Sequence, residues 1–132
     1  MIKLVTDLSD QLIVTTKSGF VPQQSDANHF VFFYEVTIHN NSNSACQLIS
    51  RHWLIKDANS KIEEVYGEGV IGEQPLIQAG EKYSYTSGAV LETEMGTMEG
   101  RYFMLHKNIN EEPIEFEIVI PKFTLSIPRM LH

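Results

Sequence analysis

In Phe30-Val31-Phe32-Phe33-Tyr34-Glu35-Val36-Thr37-Ile38-His39 every even position is apolar, and the odd positions turn polar at Glu35, Thr37 and His39. A period of two is how a strand presents one face to a core. On a helix, Glu35 and His39 would share a face with Val31 and Ile38, which no amphipathic helix tolerates. The aromatic and β-branched content also suits a pleated surface. One such strand needs partners, and the rest of the chain supplies them.

The same pattern predicts strands over residues 11–16, 46–57, 83–87, 98–105 and 114–120, with 61–66 a weaker case. Between them lie Asn40-Asn41-Ser42-Asn43-Ser44, Asp57-Ala58-Asn59-Ser60, Gln78-Ala79-Gly80-Glu81 and Asn108-Ile109-Asn110. These residue types accept left-handed backbone or bond their own main chain. Short strands at this spacing predict an all-β sandwich of two antiparallel sheets. Its core should hold Phe30, Phe32, Tyr34, Val36, Ile38, Trp53, Phe116 and Ile118. Two strands are apolar on both faces. In 46–57, Ile49, Arg51, Trp53 and Ile55 alternate with Cys46, Leu48, His52 and Leu54; in 98–105, Tyr102 and Met104 alternate with Phe103 and Leu105. Something must cover the second face, and a homo-oligomer is one expectation.

The chain has 132 residues, 42% of them hydrophobic and 20% charged, enough to build a core without disulfide or metal. A single domain over 1–126 with a short tail at 127–132 is expected. The formal net charge of −7 and the scattered Lys and Arg argue against nucleic acid as a partner. Cys46 is the sole cysteine, and the histidines stand singly, so neither a disulfide nor a metal site is expected. No apolar run suits a signal peptide or a membrane span, which points to the cytoplasm.

One segment carries a recognisable spacing. Gly67, Gly69 and Gly72 form G-x-G-x-x-G within Val65-Tyr66-Gly67-Glu68-Gly69-Val70-Ile71-Gly72-Glu73-Gln74-Pro75. In a dinucleotide site such glycines lead a strand into a helix whose N–H groups meet the phosphates. Here Glu68 and Glu73 oppose an anion, and Pro75 follows with no helix behind it. A structural or protein-binding loop is the better reading, a phosphate or metal-nucleotide site the alternative. Arg51 precedes Trp53 by two residues and should stack on the indole or pair with Glu68 or Glu73. No nucleophile elbow surrounds Ser84 or Ser87, and Cys46 has no basic neighbour in sequence, so no catalytic group and no cofactor is expected.

Leu48-Ile49-Ser50-Arg51-His52-Trp53, the segment from Val65 to Pro75, Tyr83-Ser84-Tyr85-Thr86-Ser87-Gly88, Gly96-Thr97-Met98-Glu99-Gly100-Arg101-Tyr102 and Ile120-Pro121-Lys122-Phe123 together resemble the ApaG family. The resemblance implies an immunoglobulin- or fibronectin type III-like sandwich. It implies a stand-alone bacterial protein associated with cobalt resistance and magnesium efflux, with a gene near that of a diadenosine tetraphosphate hydrolase. Related domains in eukaryotic F-box and polymerase-interacting proteins look like protein-interaction surfaces, and the family's glycine motif has been suggested to bind pyrophosphate. The expectation is a non-enzymatic module that meets a protein partner through Gly67, Glu68, Gly69, Gly72, Glu73, Arg51 and Arg101. The alternative is a binder of metal-nucleotide or pyrophosphate at the glycines. An enzyme acting on dinucleotide polyphosphates ranks last.

Overall fold

The structure is a computed structural model that describes residues 8–107 and 111–128. The turn expected at Asn108-Ile109-Asn110, the first seven residues and the tail beyond Pro128 lie outside them. Among the described residues eight strands form: β1 (Leu12–Phe20), β2 (Phe30–Asn40), β3 (Ala45–Asp57), β4 (Ile62–Glu68), β5 (Leu76–Ile77), β6 (Lys82–Leu91), β7 (Met95–Lys107) and β8 (Ile114–Ser126). β1, β2 and β6 make a three-stranded sheet; β4, β3, β7 and β8 follow one another in the second, where β5 also pairs with β3. All pairings are antiparallel. The β-sandwich expected from the alternation is the observed fold.

The inward faces of the two sheets meet in one apolar core. Phe32, Tyr34, Val36, Ile38, Trp53 and Ile118 are buried as expected, whereas Phe30 and Phe116 are only partly buried against the cluster. Tyr34, Tyr102 and Phe123 surround Trp53, with ring centroids 5.3, 6.4 and 6.0 Å from the indole. The hydroxyls of Tyr85 on β6 and Tyr102 on β7 bond to each other across the core, tying the sheets together. Burial pushes both phenols far above the usual tyrosine range, so both remain protonated.

Two β-bulges explain what alternation alone misreads. The register of β3 on β7 slips between Leu48 and Ser50, leaving Ile49 as an extra residue. Before it, Cys46 and Leu48 point inward; after it, Trp53 does, so the inward set changes parity. Much of the two-faced apolar pattern of 46–57 is thus two one-faced halves joined at a bulge, with Leu54 left on the outer face. On β8, Pro121 and Lys122 together face Glu99, between the pairs Gly100–Ile120 and Met98–Phe123. A bulge on an edge strand accommodates a proline, so the strand continues to Ser126 where the sequence suggested an end at residue 120. The Ile127 N–H then bonds the Glu94 carbonyl at 3.1 Å.

At one end of the sandwich the core is polar. Asn40 is fully buried, and its Nδ2 donates to the Ser44 and Ile77 carbonyls at 2.9 and 2.8 Å. Its Oδ1 accepts from the Ser42 N–H and hydroxyl at 2.9 and 2.6 Å. One side chain therefore holds the β2–β3 turn and β5 at once. Asn40→Ala would leave several buried groups without partners, an expected loss of about 3 kcal/mol that urea unfolding would measure.

Candidate functional site

β4 runs antiparallel to β3 from Lys56 to Ser50, and β5 continues in the same direction opposite Gln47 and Cys46. They are one edge strand interrupted by residues 69–75, and the interruption falls opposite the Ile49 bulge. The Ile49 carbonyl accepts from the Gly69 N–H at 2.8 Å and from Gln74 Nε2 at 2.9 Å. Leu48 N–H closes the far side on the Pro75 carbonyl at 3.0 Å.

Within the excursion Val70 and Glu73 exchange backbone hydrogen bonds of 2.8 and 3.0 Å, and the two residues between them have positive φ, 49° at Ile71 and 74° at Gly72. That is a two-residue hairpin of the type I′ kind. Gly72 suits it. Ile71 does not, because a β-branched side chain crowds its own backbone in the left-handed region, and it is 60% exposed. Gly69 also has positive φ, 61°, and a Cβ there would overlap the Glu73 carbonyl. Gly67 serves differently: a Cβ would lie 2.6 Å from Arg51 Nη1, so the missing side chain makes room for the guanidinium. The N–H groups of Gly69, Val70 and Glu73 are spent inside the loop and on β3.

Arg51 neither stacks on the indole nor pairs with a loop carboxylate, as the sequence suggested. It faces inward with Trp53, and its Nη1 donates to the carbonyls of Glu68 and Gly69 at 3.2 and 2.8 Å. Glu73 reaches the other sheet, where its carboxylate accepts from the Tyr83 hydroxyl at 3.2 Å. Partial burial, and then the Glu73 charge, raise the Tyr83 phenol above its ordinary value. The structure thus gathers Arg51, Gly67, Gly69 and Gly72 around one hairpin, with the Glu68 carbonyl and Glu73. Arg101 is not among them. It lies across from His52 on the opposite face of the sheet, 3.3 Å from Glu117.

That outer face holds side chains that were not among the expected contact residues. The His52 and Tyr66 rings stack with centroids 4.1 Å apart and 8° between planes. Glu64 joins them, its Oε2 3.1 Å from His52 Nε2 and 3.0 Å from the Tyr66 hydroxyl. This hydrogen bond to a carboxylate raises the Tyr66 phenol, helped by desolvation. Leu54, Arg101, Phe103 and Val119 continue the surface, and beside it Ile49, Phe103, Leu105 and Phe116 line a groove of about 520 Å³. The signal was present in the sequence: Phe103 and Leu105 are the second apolar face of 98–105.

Among the described residues no group of three His, Cys, Asp or Glu side chains is placed to hold a metal ion. Cys46 does have a basic residue opposite it, His106, although the sequence offered none. Both are buried, neither His106 nitrogen has a partner, and burial raises the thiol, so Cys46 is a poor nucleophile. No helix of the described residues is long and apolar enough to cross a membrane.

The model of the ApaG domain matches residues 21–106. The chain belongs to the ApaG family. Protein ApaG of Xylella fastidiosa strain M12 is 48% identical over 126 residues, covering 94% of this chain and 96% of that protein. Protein ApaG of Proteus mirabilis is 47% identical, with 94% and 98% covered. A crystal structure from Bordetella pertussis, described as that of a candidate ApaA protein, superposes with a TM-score of 0.84 at 43% identity, covering 90% of this chain and 95% of that one. The span matched by the ApaG model includes the glycine hairpin, Arg51, His52, Tyr66, Arg101 and Phe103. β8, with Glu117 and Val119, lies outside it.

Two substitutions test how the hairpin is built. Gly69→Ala should cost about 2 kcal/mol in a denaturant titration, since it meets both an unfavourable φ and a backbone carbonyl. Ile71→Asn should instead gain about 1 kcal/mol, because asparagine accepts the left-handed region that isoleucine resists.

Proposed function

We propose that this ApaG protein is a non-enzymatic binding module that meets a protein partner through the outer face of its five-stranded sheet. The observation that supports this reading is the grouping of Tyr66, His52, Leu54, Phe103 and Val119 on one face, with Arg101 and Glu117 among them. Tyr66 and Val119 are 67% and 66% exposed, and Phe103 37%. Large rigid aromatics beside an arginine are the side chains that carry binding energy in interfaces. Glu64 already holds the Tyr66–His52 stack in place, so little side-chain freedom is lost on contact.

The Gly67–Gly72 hairpin has a different part in this reading. Its backbone donors at Gly69, Val70 and Glu73 are committed, so it shapes the margin of the sheet. A link to cobalt and magnesium homeostasis, and to dinucleotide polyphosphates, would then run through the partner in the cytoplasm.

The test compares the wild-type protein with the double variant Tyr66→Ala/Phe103→Ser in cells lacking their own ApaG. Both residues lie on the surface, so the variant should stay folded at a cost of about 1–3 kcal/mol, which a denaturant titration measures. Partner binding should weaken by about thirtyfold or more, as for central interface aromatics, and cobalt tolerance should not be restored. Full restoration by the double variant would sink the proposal. So would saturable amide shifts at Gly67, Gly69 and Gly72 with magnesium-bound diadenosine tetraphosphate, which would move the function to the hairpin.

A further inference from the structure

The sandwich core is incompletely filled along one side. β4 is the edge of one sheet and β6 of the other, and the two do not pair. Between them lies a cleft of about 420 Å³. Its floor and walls are aromatic, from Tyr34, Trp53 and Tyr85, and past Tyr85 the strand β6 lines it with the small Ser87, Gly88 and Ala89 before Val90. The glycine hairpin overhangs one end through Val70 and Ile71.

One donor in this cleft lacks the acceptor its chemistry calls for. Arg51 is half-buried, and no carboxylate of the described residues forms an ion pair with it. Its side-chain hydrogen bonds to the Glu68 and Gly69 carbonyls both come from Nη1 and meet neutral acceptors, leaving the other arm of the fork for an anion. A buried cation is stable only when an opposite charge or a full set of acceptors meets it. Trp53, two residues along the same face, is 2% exposed, and its Nε1–H has no partner. That nitrogen is closed off by its neighbours, so Trp53 offers the cleft its ring. The Tyr85 hydroxyl is already engaged with Tyr102, so it offers the cleft its ring rather than its proton.

We propose that the cleft between β4 and β6 binds a small carboxylic acid with a flat apolar body, its carboxylate taken by Arg51. A planar guanidinium fork matches a carboxylate in shape and charge. Tyr34 and Tyr85 hold the body on their ring faces. Glu63 lines the same cleft, and the protein carries a net charge of −7, so a single negative charge is favoured over a polyphosphate. The site is separate from the outer face of the sheet and from the backbone donors of the hairpin.

Trp53 is the only tryptophan in the chain, so its emission reports directly on the site. Phenylacetate titrated into the wild-type protein should change that emission saturably, with a Kd of about 1 mM or tighter. Phenylacetamide, of the same shape without the charge, should bind about tenfold or more weakly, and inorganic phosphate should not compete. Arg51→Met should abolish binding but also releases the hairpin. Ser87→Leu fills the cleft from β6 and leaves the Arg51 bonds alone, so it should abolish binding with an unchanged circular dichroism spectrum. Amide shifts on adding phenylacetate to the wild type should centre on residues 51–53 and 85–89. No saturable change at tens of millimolar, equal binding of phenylacetamide, competition by phosphate, retained binding in Ser87→Leu, or shifts centred elsewhere would each overturn the proposal.

Discussion

One extra residue in the central strand sets most of this molecule. Ile49 interrupts the pairing of β3 with β7, and the strand changes which side chains it buries at that point. Without it, Arg51 and Trp53 would share the face of Ile49 and not that of Cys46 and Leu48. The bulge brings Trp53 into the aromatic core and Arg51 beneath the glycine hairpin, and sends His52 to the surface beside Tyr66. Its carbonyl also receives the two bonds that fasten the hairpin's base. Core, cleft and outer face all depend on the same slip in register.

The glycine motif shows why a spacing is weaker evidence than a mechanism. In a dinucleotide fold the three glycines share one task, approach to a pyrophosphate ahead of a helix. Here each has its own. Gly67 admits a guanidinium, Gly69 admits a carbonyl and a left-handed backbone, and Gly72 needs only the backbone conformation, with open space around it. The same letters at the same intervals serve a turn between two halves of an edge strand.

The alternation in 30–39 was enough to read the sandwich and most of its core, because side chains on one face of a strand must repeat every two residues. What the pattern hid was every place where the period breaks. The Ile49 bulge made one strand look apolar on both faces, and the Pro121–Lys122 bulge made another look shorter than it is. β5 has only Leu76 and Ile77, too few for any period. For the site, the sequence rightly linked Arg51 to the glycine segment. It chose the wrong acceptors, because backbone carbonyls carry no sequence signature. It joined Arg101 to the same surface, whereas the register sets Arg101 opposite His52 and so on the other face from Arg51. Tyr66 and His52 are 14 positions apart in the chain, and only the pairing of β3 with β4 reveals their stack.

Both margins of the larger sheet are irregular, one through the hairpin excursion and the other through the bulged proline of β8. A straight, unbroken margin is a template on which further strands can be laid. Neither margin here offers such a run: one stops after seven residues of β4 and resumes for two of β5, and the other bends where Pro121 lacks its N–H. In the larger sheet, at least, the excursion and the bulged proline each interrupt the row of main-chain groups on which a further strand could be laid.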